Sequence, residues 1–330
     1  MKRSLWIFVL ATLLSGSPLT SALSKETMLL YTSMKEPLIV KLRDAFAKKY
    51  PDIDFDFYSA GAGKLMAKIA IERQSGKIMT DVLWTSEILD FYQLKGQGVL
   101  EKYASPESKS IVTPVKDPEG FFTPVRLGTL GIAYNTRKVA VPPKSWQDML
   151  DSRFKDGFEI ANPALSGTAC VSVAMIACTM GWDYIERLKA NGAMMGQGSG
   201  QVVNDTASGD SKATIAVDYI TVQKMEKGAH LGLIYPKEML VIPSPVAILK
   251  GTSNLKAAQR FVDFLLTKEG QEIIASMGTL PVREDVPLLK GYNLVSPREA
   301  EKRAMKVDYP KILKEKEEII QKFSAIMRGK

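Results

Sequence analysis

The chain has few of the side chains that catalytic and metal sites need. Of 330 residues, two are cysteine and one is histidine. No cluster of His, Cys and carboxylate residues has zinc-site spacing. A hydrolase would need a nucleophile beside a base, yet no Gly-x-Ser-x-Gly elbow occurs and His230 has no carboxylate at useful spacing. The sequence therefore reads as a protein that is not an enzyme. Cys170 and Cys178 fall on one expected helix, about 12 Å apart along its axis, too far for a bridge, so both are expected to be packed free thiols.

Long apolar runs are also missing. The stretch from Leu5 to Leu14 is shorter than the roughly 20 residues of a membrane-spanning helix, and no later run approaches that length. No basic run is interleaved with aromatics, which argues against nucleic acid as a partner. Gly63-Lys64 imitates a phosphate loop, but Tyr58 stands where that loop needs a glycine and Leu65 where it needs a hydroxyl. Gly196, Gly198 and Gln201 give part of a dinucleotide fingerprint without its third glycine or a preceding strand. No internal repeat and no low-complexity linker is visible.

What is present begins with an export segment. Lys2 and Arg3 precede the Leu5–Leu14 core, and small residues follow up to Leu19-Thr20-Ser21-Ala22. This is the layout of a secretory signal peptide over 1–22, cleaved near Ala22, which places the mature chain in the periplasm. The formal charge of +8 falls by two with Lys2 and Arg3, and the remaining basic excess favours acidic ligands. What remains is long enough for two cores, so two lobes are expected.

Strand-like runs alternate with amphipathic helices, the pattern of α/β lobes with mostly parallel sheets. The strands end repeatedly in small or hydroxyl residues that open the next helix. Tyr31-Thr32-Ser33, Ser59-Ala60-Gly61-Ala62-Gly63, Trp84-Thr85-Ser86 and Asn162 through Thr168 are such junctions. Helix starts carry unpaired N–H groups and partial positive charge, so several of them on one cleft would hold a small anion or zwitterion. Ser33 and Glu36 have capping-box spacing. The extended runs Phe121–Asn135 and Met239–Leu249 are expected to cross between lobes, giving lobe 1 over 23–126 and 245–330 and lobe 2 over 127–244. The Lys/Glu-rich tail from Arg298 is expected on the outside of lobe 1.

The junctions just quoted, together with Asp81-Val82-Leu83-Trp84, Gly131-Ile132-Ala133-Tyr134-Asn135, Ser166-Gly167-Thr168-Ala169, Ile242-Pro243-Ser244-Pro245-Val246-Ala247-Ile248 and Lys268-Glu269-Gly270-Gln271, resemble the solute-binding proteins of bacterial ABC importers. The resemblance is strongest to the branch shared by ferric-iron, phosphonate and sugar-phosphate binders, and it runs through nearly the whole mature chain. It implies a two-lobed, type II-like periplasmic binding protein, each lobe a mixed sheet flanked by helices, with the ligand between lobes. It also implies a monomer that passes its solute to an ABC permease at the inner membrane.

Candidate ligand residues are Ser33, Ser59, Gly61, Ala62, Gly63, Thr85, Ser86, Ser166, Gly167, Thr168, Asn204, Asp218 and Tyr219. The hydroxyls and glycine amides suit an organophosphate, phosphonate or sugar phosphate. Asp218 could accept from an amine or hydroxyl, or simply cap a strand end. The Ser166 turn is either an anion cradle or a plain helix cap. Ferric binders of the branch carry adjacent tyrosines where this chain has Asp218-Tyr219. An iron reading would use Glu87, Asp218 and Tyr219 as ligands. No resident cofactor is expected.

Overall fold

The computed structural model describes residues 25–112 and 117–329; the expected signal segment lies outside them. Along the chain run β1 (Glu26–Thr32), α1 (Glu36–Lys49), β2 (Ile53–Ser59), α2 (Ala62–Gln74), β3 (Val82–Trp84), α3 (Ile88–Gly96), β4 (Thr123–Asn135), β5 (Phe158–Ala161), α4 (Gly167–Met180) and α5 (Trp182–Ala190). Then come β6 (Met194–Gly196), α6 (Ser199–Ser208), β7 (Ala213–Val217), α7 (Asp218–Glu226), β8 (Leu231–Ile234), β9 (Leu240–Ile248), α8 (Leu255–Leu266), α9 (Lys268–Ala275), α10 (Pro297–Arg303) and α11 (Tyr309–Arg328).

The alternation predicted from sequence is present, but the halves share one sheet. Its order is β2-β1-β3-β9-β4-β7-β5-β6, with β8 on β4. β1 pairs in parallel with β2 and β3 in one half, and β5 pairs in parallel with β6 and β7 in the other. The two crossing runs, β4 and β9, join them antiparallel. Proline suits an edge or connector strand, yet Pro243 and Pro245 lie on β9, which is flanked on both sides. They fit because β3 pairs only with 246–248, so their missing N–H groups fall where β9 has β4 as its single neighbour. Gly131 on β4 is needed for close approach: a Cβ there would run into the Ile234 carbonyl.

One core surrounds Phe46 and gathers α1, α8 and α9 against β1, β3 and β9. A second joins α4, α5 and α11 over β5 and β7, and it takes in Ile88 and Leu89 of α3. The tail therefore does not sit only outside the first half. α11 packs on α3, α4 and α5 together, because Ile312, Ile319, Phe323 and Met327 form a helical stripe that only this bridging position buries. Cys170 is buried and Cys178 exposed, both unpaired. The expectation of two packed thiols thus holds for one, since α4 ends at Met180 and its last turn emerges from the core.

Candidate functional site

A cleft of about 1280 Å³ opens along the sheet's carboxyl ends, between the two halves. The starts of α2, α3, α4, α6 and α7 all reach it. Helix dipoles and free amides thus converge on one space, as the junction pattern predicted. No side chain caps α2, α6 or α7. Around Gly61 and Gly63 there is open space where a side chain would project.

Of the thirteen candidate residues, ten line the cleft: Ser33, Ser59, Gly61, Ala62, Gly63, Ser86, Ser166, Gly167, Thr168 and Tyr219. Ser33 does not make the capping box with Glu36. α1 starts after Lys35 without a side-chain cap, and Ser33 Oγ instead accepts the Ser86 N–H at 3.2 Å. Ser59 donates to the Met34 carbonyl. Ser166 caps α4, accepting from Ala169 N–H at 3.2 Å, and lies 3.0 Å from Ser199 Oγ of the next helix start.

Three candidates are elsewhere. Thr85 is buried beneath the wall, its Oγ1 accepting from Glu87 N–H and its carbonyl from Ser244. Asn204 is exposed on α6, outside the cleft lining. Asp218 is wholly buried behind it. Its carboxylate accepts from Thr129 N–H and Oγ1, Tyr219 N–H and Thr279 Oγ1 at 2.6 to 3.3 Å. Burial pushes its pKa up, while Arg126 and these donors pull it down. The role expected for Asp218, accepting from a ligand amine, therefore fails on position: the start of α7 turns the side chain inward to tie β4 to the 279 segment. Of the iron ligands considered, Glu87 and Tyr219 alone line the cleft. Among the described residues, no three His, Cys, Asp or Glu side chains are grouped to hold a metal.

The residue that sequence reasoning missed is Arg126. It lies on β4 where the pairing register slips between Pro124 and Arg126, a bulge that re-aims its side chain. Only 3% exposed, it lines the cleft. Nη2 donates to Ser86 Oγ at 2.8 Å and Nη1 to Thr279 Oγ1 at 3.1 Å, while Nε is buried with no partner. The guanidinium lies 4.8 Å from the centre of the Tyr219 ring, so that ring is the face of a cation–π contact. A lone arginine within an apolar strand carried no local motif; its partners come from three distant segments, at Ser86, Asp218-Tyr219 and Thr279.

The Ser166 turn caps its helix and also holds a carboxylate from the facing wall. Glu87, at the start of α3, crosses the cleft and accepts from Thr168 Oγ1 at 3.4 Å and from the Thr168 N–H. A Cβ on Gly167 would collide with that carboxylate. Burial, then the nearby Asp90, pushes the Glu87 pKa up to about 7, with Thr168 and Lys316 opposing. Burial also raises Asp90 to about 6.

Glu87 is accordingly expected to titrate near pH 7 in side-chain carboxyl NMR spectra, and Lys316→Met should move the midpoint higher by removing a cation. A carboxyl raised on folding holds its proton more tightly in the folded chain. Its contribution to stability is thus present in mild acid and lost as pH climbs through about 7. Glu87→Gln should flatten that decline, and a midpoint under about 5 would show the group to be solvated.

Residues 90–307 match the family described as bacterial extracellular solute-binding proteins. A putative 2-aminoethylphosphonate-binding periplasmic protein of Salmonella typhimurium is 25% identical, the match covering 74% of this chain and 73% of that protein. The periplasmic binding protein AfuA from Actinobacillus pleuropneumoniae, with fructose-6-phosphate bound, superposes with a TM-score of 0.73 at 26% identity, covering 92% of this chain and 99% of the other. Iron-bound HitA from Pseudomonas aeruginosa superposes with a TM-score of 0.75 at 25% identity, covering 91% and 99%.

Proposed function

The chain belongs to the bacterial extracellular solute-binding proteins, and from that premise we propose that its cleft captures a small phosphorus oxyanion, an organophosphate, phosphonate or sugar phosphate, in the periplasm and passes it to an ABC permease. The fold is the two-lobed one of its periplasmic relatives. The observation that carries the choice of ligand is Arg126: a buried cation at the cleft wall with one donor unanswered, placed where uncapped helix starts converge. A dianion held there gains charge-assisted hydrogen bonds from the guanidinium, from Ser33 and Ser86, and from the amides of Ala62 and Gly63.

Opening and closing follow from the two crossing strands. A ligand touching both halves binds the closed arrangement best and shifts the population toward it. With lobes divided near 126 and 245, as proposed from the sequence, the hinge would bend within β4 and β9.

The test is calorimetric titration of the purified protein with 2-aminoethylphosphonate, ethylphosphonate, fructose-6-phosphate and ferric citrate. At least one phosphorus compound is expected to bind, and ferric citrate to give no visible phenolate-to-iron band. A coloured ferric complex abolished by Tyr219→Phe would replace the anion with iron.

A further inference from the structure

This inference rests on the anion-capture reading and specifies the solute further. Next to Arg126 the cleft wall turns acidic. Ser86, which accepts from Arg126, is followed at once by Glu87, and Asp90 stands in the first turn of α3; both carboxylates line the cleft. Acidic residues at a helix start commonly serve their own helix, but Glu87 makes no side-chain cap on α3. It is held by Thr168 from the opposite wall, which leaves part of its acceptor capacity free. The Asp90 carboxylate has no hydrogen-bond or ion-pair partner among the described residues, only its backbone N–H being engaged, by the Glu87 carbonyl.

Lys316 of α11 lines the same cleft, and its field reaches both groups. Among the described residues it forms an ion pair with neither. Two carboxylates against one ammonium leave the patch short of positive charge. Burial raises both pKa values, the sign of charge that is poorly solvated and uncompensated. A plain anion bound at Arg126 would meet this patch as repulsion. A ligand bringing its own cation would meet it as attraction.

We propose that Glu87 and Asp90 form a cation subsite beside Arg126, so that the solute pairs a phosphorus oxyanion with a protonated amine instead of a sugar's hydroxyls. An ammonium offers three donors, enough to bridge both carboxylates while the oxyanion sits on the guanidinium and the helix starts. Asp218, buried behind the wall, takes no part.

The experiment compares 2-aminoethylphosphonate, ethylphosphonate and fructose-6-phosphate on the full chain by calorimetry at one pH. The aminated phosphonate should bind at least about tenfold tighter than ethylphosphonate, the scale of one hydrogen bond to a charged group. Asp90→Asn should weaken the aminated ligand by a similar factor and leave ethylphosphonate equal or tighter. Glu87→Gln should do the same, with Asp90→Asn the cleaner variant because Asp90 holds no other residue in place. Equal affinity for the two phosphonates, or tighter binding of the hexose phosphate, overturns the cation subsite while leaving anion capture standing. Binding of none of the three overturns both.

Discussion

Arg126→Ala is expected to remove measurable capture of whichever phosphorus compound the wild-type protein binds. Truncating a buried, hydrogen-bonded charge that faces an opposite charge costs about 2–5 kcal/mol, a loss of roughly 30- to several thousand-fold in affinity. The guanidinium is also the counter-charge to Asp218, so the variant should lose stability as well. Arg126→Lys separates the effects. It keeps a cation behind the cleft wall but cannot donate to Ser86 and Thr279 while presenting a planar fork to the ligand. It should fold nearly as well as the wild type and bind at least about tenfold more weakly, as expected from the loss of one charge-assisted hydrogen bond. Unchanged affinity in Arg126→Lys and in a folded Arg126→Ala would move the anion to the helix starts alone. Calorimetry gives the affinity, and denaturant unfolding on the same samples gives the stability.

Asp218→Ala should be the most damaging single change to stability among the residues first considered as ligands. Four donor contacts end on this carboxylate, from Thr129, Tyr219 and Thr279, and the buried Thr129 and Thr279 have no water to turn to. Breaking a buried charge network by deleting one partner costs about 3–5 kcal/mol, since both the donors and Arg126 are left uncompensated. Asp218→Asn keeps one carbonyl oxygen in place and should cost less. If urea unfolding places Asp218→Ala within about 1 kcal/mol of wild type, the side chain is not the tie between β4 and the 279 segment, and a ligand role would reopen.

The contrast between Asp218 and Arg126 shows why the site was only partly legible. Helix starts are local features: Ser59 through Gly63 and Ser166 through Thr168 announce themselves by small residues ahead of amphipathic runs, and they do line the cleft. Which way a side chain faces at such a start is not local. Asp218 opens α7 beside Tyr219, yet the two point to opposite sides of the wall, because the sheet places Thr129 and Thr279 behind it. Glu87 was readable as a carboxylate near the cleft. Its seat on α4 depends on how the two halves meet.

By itself the sequence determined the alternation of strands and helices, the two crossing runs, the helix starts, and the absence of the Cys and His clusters that other chemistries need. Each follows from spacing and composition within a few neighbouring residues, where backbone preference and burial periodicity act. The tertiary structure alone decided that one sheet runs through both halves, that α11 bridges α3 and α4, and that Arg126, Glu87, Asp90 and Lys316 share a cleft wall. Those residues are separated by up to 229 positions, Glu87 to Lys316. Desolvation and charge coupling between them depend on distance through space, which chain order does not encode.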